Sequence, residues 1–188
     1  QIVIVPIIPN DKDKDSVMKV VNQLNDSLSE FRVIIDDRSE VSPGFKFNEW
    51  EQKGVPLRVE VGPKDIEKNT ILVSRRDDES KNSYPMDDVQ NTLKKLLDEI
   101  QDNLYKNSEN TLKENTTHVE SFSELIEVLN SKKGFVSCFW KENKEDELKI
   151  KEETSATLRC YPLENTNSEK AVNSDSENGN FAIFSKAY

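Results

Sequence analysis

The alternation of apolar and polar positions divides the chain into short strands and amphipathic helices. It opens on the β-branched run Ile2-Val3-Ile4-Val5, which predicts a buried strand over 2–8. Val17, Val20, Val21, Leu24 and Leu28 then recur at three- and four-residue steps, one apolar helix face against a sheet. FRVIIDD, residues 31–37, predicts a second strand. Strand, helix and strand of these lengths favour a parallel pair joined by a right-handed crossover. Asp36, Asp37 and Arg38 fall at the C-terminal end of the second strand, where ligands approach open α/β sheets.

Ser42-Pro43-Gly44 starts a helix that runs to about Lys53, with Gly54 closing it. Phe45 and Trp50 are assigned to its buried side, Lys46 and Glu51 to its exposed side. PLRVEV alternates, so Leu57, Val59 and Val61 point inward while Arg58 and Glu60 point out. Gly62-Pro63 turns the chain, and TILVSRR returns as an antiparallel strand. Residues 77–83 read as a polar loop, and Pro85 opens a long helix through about Glu114 whose apolar face thins beyond Tyr105. The remainder predicts helix 119–130, strand 135–140, helix 144–153, strand 157–163, a polar loop 164–180 and a final strand 181–186. The expected organisation is an α/β domain with a mixed sheet over 1–107, a linker over 108–118 and a small α+β domain over 119–188.

Charge sharpens this picture. The chain carries 26 basic and 36 acidic side chains, a formal net charge of -10 that taken whole disfavours a nucleic-acid partner. Residues 43–76 run the other way, with seven basic and five acidic side chains. No run of 18 apolar residues indicates a transmembrane helix, and the N-terminus lacks the basic segment of a signal peptide. Gln1 in place of an initiator Met reads as the start of an excised fragment. Cys138 and Cys160 lie in strand-like runs and read as buried free thiols. His118 is the sole histidine and sits in a polar connector, so no Cys–His nucleophile is in view.

The positive stretch also carries a family likeness. KFNEWEQKGVPLRVEVGPKDIE, followed by SRRD, resembles the anticodon-binding domain of the prolyl-tRNA synthetases of the eukaryote/archaea-like type. The opening IVIVPII and the Tyr-terminated ending GNFAIFSKAY resemble the two ends of that region. The resemblance implies a class II anticodon-binding domain followed by a small C-terminal domain, with the catalytic core outside this chain. It implies that Phe47, Glu51, Arg58 and Lys64 read the two guanines of a proline tRNA anticodon. Those residue types suit base recognition, since an aromatic stacks a splayed base, a carboxylate accepts from guanine N–H groups, and Arg makes forked contacts to guanine acceptors. Arg38, Arg75 and Arg76 are secondary candidates for tRNA contact.

The same resemblance implies ATP, Mg²⁺ and a homodimeric catalytic domain in the full-length enzyme, a cytoplasmic location, no membrane partner, and a terminal Tyr188 that supports the active site. Many relatives carry four zinc-binding cysteines in the C-terminal domain. Here those positions fall on Lys141, Asp146 and the neighbourhood of Ala171 and Asn173, so no zinc is expected and a Lys141–Asp146 ion pair stands in. The alternative is a free-standing paralogue that acts as a tRNA- or protein-binding module.

Overall fold

A computed structural model of the chain describes residues 1–163 and 168–186. The chain divides into two compact units, Gln1–Lys106 and Asn107–Tyr188.

The first unit is built on a mixed five-stranded sheet of order β2-β1-β3-β4-β5. Its strands are β1 (Ile2–Pro6), β2 (Val33–Ile35), β3 (Leu57–Val61), β4 (Thr70–Arg75) and β5 (Lys81–Pro85). β1 pairs in parallel with β2 and β3, and β4 runs antiparallel to β3 and β5. Helices α1 (Lys14–Ser27) and α2 (Pro43–Gln52) make the two crossovers, and α4 (Val89–Glu114) follows the last strand. Ile2, Ile4, Leu57, Val59, Val61, Ile71 and Val73 cover one sheet face. Val17, Val21, Leu24 and Leu28 from the α1 region, and Val89, Leu93, Leu96 and Ile100 from α4, pack on them. The period of two on the strands and of 3.6 on the helices brings these residues to one seam.

Several expectations need correction. The first two strands are shorter than 2–8 and 31–37, because pairing with β1 ends where the chain turns into its polar loops. The expected loop 77–83 contains a hairpin: β5 pairs with β4 from Lys81 to Pro85. KNSYP shows no apolar alternation because an edge strand is held by its backbone, and only Tyr84 reaches the core. The turn at Gly62-Pro63 is the start of a short helix, α3 (Pro63–Glu67), whose Asp65 carboxylate accepts from the Gly62 N–H at 2.9 Å.

The second unit holds α5 (Phe122–Ser131), α6 (Lys144–Thr154) and a sheet of order β6-β7-β10-β8, with β9 added to β10. The strands are β6 (Thr116–His118), β7 (Phe135–Trp140), β8 (Ala156–Cys160), β9 (Ser168–Lys170) and β10 (Asn178–Lys186). Leu125, Val128, Leu129, Val136, Cys138, Trp140, Ile150 and Phe184 form its core. Ser121 caps α5 by accepting from the Glu124 N–H at 3.2 Å, which sets the helix start later than the expected 119.

Of the stretch 108–118 expected as a linker, residues up to Glu114 are helical and Thr116–His118 pair with β7. Thr111, Asn115 and Thr116 side chains each bond back to a carbonyl four residues earlier, so the polar helix end needs no apolar partner. In the expected loop 164–180, β9 and the start of β10 form an antiparallel pair; residues 164–167 lie outside the described residues. Cys138 is buried, and burial pushes its thiol up to about 12, which removes it as a nucleophile at neutral pH. Cys160, expected to be buried, is exposed near the end of β8.

Candidate nucleic-acid interface

The sheet face away from the α1–α4 core carries the site. Register places Val3 beside Arg58, Arg58 beside Ser74 and Ser74 beside Lys81, a row across four strands on one face. α2 lies at the side of this row. Between them is a cleft of about 340 Å³ lined by Trp50, Glu51, Val55, Arg58, Ser74, Arg75, Arg76, Glu79 and Lys81 over Val3.

Polar contacts position α2. Its hydrophobic patterning is weak, and Phe45, expected to be buried, is 55% exposed. The helix face that docks on Asp36 and Arg38 carries Lys46, Glu49 and Trp50, at steps of three and one. Lys46, expected to be exposed, is 4% exposed and donates to the Asp36 carbonyl at 3.0 Å. Trp50, expected in the core, is half-buried and donates its indole N–H to Asp36 Oδ2 at 2.7 Å. Arg38 grips Asp36 through Nε and Nη2 at 2.9 and 2.7 Å and reaches Glu49 at 2.7 Å. Lys53 bonds Glu49 at 2.6 Å and lies over the Trp50 ring. The Arg38 hydrogen bond holds the Asp36 carboxyl well below the usual range, and Trp50 and Lys46 add to this. Asp36 is thus the anchor for the helix that presents Phe47 and Glu51.

Phe47 and Arg58 come together: the guanidinium carbon lies 4.0 Å from the ring centroid, a cation–π contact. Arg58 also donates to Glu60 at 3.2 Å and to Ser74 at 3.1 Å. Glu51 lines the cleft one turn along from Phe47, is exposed, and has no side-chain partner among the described residues. Lys64 stands apart, exposed on α3 beyond the C-terminal end of β3, and does not line the cleft. Glu60, expected to point to solvent, lies on the Arg58 side of β3 but is buried, because Arg58 and Lys81 cover it.

Lys81 was not foreseen from the sequence. It bonds Glu60 at 2.9 Å and lies 5.6 Å from the Phe47 centroid. Its signal in the sequence would have been the hairpin that turns KNSYP back along SRR. The other arginines differ in availability. Arg75 donates to Asp77 at 2.8 and 3.1 Å and to Glu99 at 2.8 Å, tying β4 to α4. That contact depresses the Asp77 carboxyl, whose side chain is fully buried. Arg38 is engaged as described above. Arg76 is exposed, and its side chain bonds the Glu51 carbonyl alone among the described residues, at 3.3 Å.

The positions aligned with zinc ligands do gather in the second unit. Asn173 accepts from the Lys141 N–H at 3.0 Å and donates to the Lys141 carbonyl at 2.9 Å and to Asp146 at 3.0 Å. The expected Lys141–Asp146 pair does not form: Asn173 takes Asp146, and the Lys141 ammonium goes to Glu177. A lysine and an alanine offer zinc no ligand, so the set does not fit that metal. Among the described residues, no three His, Cys, Asp or Glu side chains gather to hold a metal ion. No helix among them is long and apolar enough to cross a membrane. Tyr188 lies outside the described residues.

Against known proteins, residues 1–96 match the family model described as anticodon binding domain. Residues 122–188 match the prolyl-tRNA synthetase C-terminal model. The chain belongs to the prolyl-tRNA synthetase family. It is 42% identical to the proline–tRNA ligase of Roseiflexus sp. (strain RS-1), covering 100% of this chain and 40% of that protein. With the proline–tRNA ligase of Alkaliphilus oremlandii it shares 43% identity, over 89% of this chain and 34% of that protein. The crystal structure of prolyl-tRNA synthetase from Cryptosporidium parvum, complexed with L-proline and AMP, superposes with a TM-score of 0.89 at 34% identity, over 100% of this chain and 41% of that one. The chain therefore spans about 40% of the length of such relatives and matches their anticodon-binding and C-terminal domains.

Proposed function

We propose that this chain reads the anticodon of a proline tRNA as the C-terminal part of a cytoplasmic enzyme that joins proline to that tRNA. The observation that carries the reading is the cleft lined by both Arg58 and the free carboxylate of Glu51, with the Arg58 guanidinium resting on the Phe47 ring beside it. The cleft thus offers a forked donor and an acceptor with an aromatic ring beside them, the inventory for a splayed guanine. Arg58 supplies donors to guanine O6 and N7, Glu51 accepts from its N1–H and amino group, and Phe47 supports the stack. Lys81 joins them as a second cation, and Lys64 serves at the rim, on phosphate or on the neighbouring base. Arg76 is the arginine left free for tRNA; Arg38 and Arg75 act through the fold.

In the full-length enzyme a separate catalytic domain would use ATP and Mg²⁺ and carry the homodimer contact. This chain would supply anticodon recognition over residues 1–107, the 108–118 connection, the 119–188 domain and, through Tyr188, support for the active site. The test is binding of this chain to a fluorescent anticodon stem-loop of proline tRNA and to a copy with its two guanines replaced by adenine. Preference for the guanine loop is expected; equal binding of both would overturn the reading.

A further inference from the structure

Glu60 lies behind the cleft and does not line it. Register encloses it between Val5 of β1 and Leu72 of β4, and it is 5% exposed. Its two oxygens are divided between the two cations of the site: Oε1 accepts from Arg58 Nε at 3.2 Å and Oε2 from Lys81 Nζ at 2.9 Å. Both cations lie against the same Phe47 ring. Building on the anticodon reading above, we infer that Glu60 is a positioning residue: its buried carboxylate holds Arg58 and Lys81 over Phe47, where they address base edges and are kept from phosphates.

Two further features support this role. Stability gives little reason for a carboxylate there, since its strand neighbours are apolar and a buried ion pair rarely stabilises more than a well-packed apolar side chain. The charge balance of the cleft also fits. Arg58, Arg75, Arg76 and Lys81 line it with Glu51 and Glu79, while Glu60, Asp77, Asp78 and Glu99 are paired with those cations. Four positive charges meet six negative ones, so the cleft offers donor geometry without the net positive field that draws phosphates.

The test is Glu60→Gln in this chain, with binding of the guanine and adenine stem-loops measured over a salt series. The preference for the guanine loop should fall at least about fivefold, the lower end of what one forked base contact supplies. The salt slope should steepen by about 0.7 for each cation released to phosphate. Unchanged preference and slope would overturn the inference. An equal loss of affinity for both loops at unchanged slope would overturn it too, since that marks a merely structural residue. If Glu60→Gln does not fold, Glu60→Asp keeps the charge but cannot reach both cations, and undiminished preference there counts against the inference. A wild-type chain that fails to discriminate rejects the anticodon reading itself and this inference with it; discrimination that survives in Glu60→Gln rejects the inference alone.

Discussion

In the reading site proposed above, Arg58 is the forked donor and Phe47 the ring on which it rests, and variants of each test the proposal. Removing a forked donor costs discrimination: Arg58→Ala should lose about 1–3 kcal/mol of preference for the guanine over the adenine stem-loop. Phe47→Ala removes the ring under Arg58 as well as a base-tolerant stacking surface, so it should weaken both loops by about 1–3 kcal/mol each and lower the preference too. Equilibrium binding of the two loops to each variant checks both outcomes. Phe47, Glu51 and Arg58 were legible because they occur in a stretch whose motif and spacing place them on one helix face and one strand face. Lys81 was not, because its approach to Phe47 depends on an edge strand with no apolar signature. Lys64 follows the same motif, yet α3 carries it away from the cleft.

Helix α2 shows how charge can dock an element that apolar patterning would leave undocked. Asp36 accepts from Arg38 and Trp50 and has Lys46 beside it, so Asp36→Asn should destabilise the first unit by about 3 kcal/mol. The sign with pH follows from the depressed carboxyl. This stabilisation is complete above the unfolded Asp value, about 3.9, and is lost as pH falls through the lower folded value. Thermal melts of wild type and Asp36→Asn should therefore differ at neutral pH and converge in acid. At the other end of the cleft, Arg75→Ala leaves the buried Asp77 carboxylate without its main partner and should cost about 3–5 kcal/mol. Arg76→Ala, at an exposed side chain, should change stability by less than about 0.5 kcal/mol. Urea titrations of the two variants check this contrast. Helix α4 needed no such help: Leu93, Leu96 and Ile100 fall on one face, and its extent to Glu114 could be read from the sequence.

On the scale of the whole molecule, the RNA binding proposed for a chain of net charge -10 should rest on few phosphate contacts. Salt titration of stem-loop binding should give a log–log slope of about -2 or shallower, the value for about three or fewer phosphates. The second unit should also be indifferent to chelators. Asn173 joins Lys141 and Asp146 by hydrogen bonds at the positions aligned with zinc ligands, so folding is expected without an ion. The melting temperature should be unchanged by EDTA, and elemental analysis should find no stoichiometric zinc.

Local rules determined much of this protein. Apolar periodicity set the strands β1, β3, β4 and β7 and the helices α1, α4 and α5, because burial of a repeating face is a property of the segment itself. One ordered motif was enough to assign the family and to name Glu51 and Arg58, which line one cleft, and Phe47, which Arg58 lies over. Tertiary structure decided what depends on partners distant in sequence. It buried Lys46 and exposed Phe45, because Asp36, ten residues earlier, supplies a charged dock for α2. It added β5 and β9, which edge pairing holds largely through the backbone. It turned Glu60 from a solvent-facing residue into a buried brace by folding Lys81, 21 residues on, back across the sheet. Burial of an apolar face is encoded where it occurs, whereas the pairing of a charge is encoded in two places and becomes visible only when the chain brings them together.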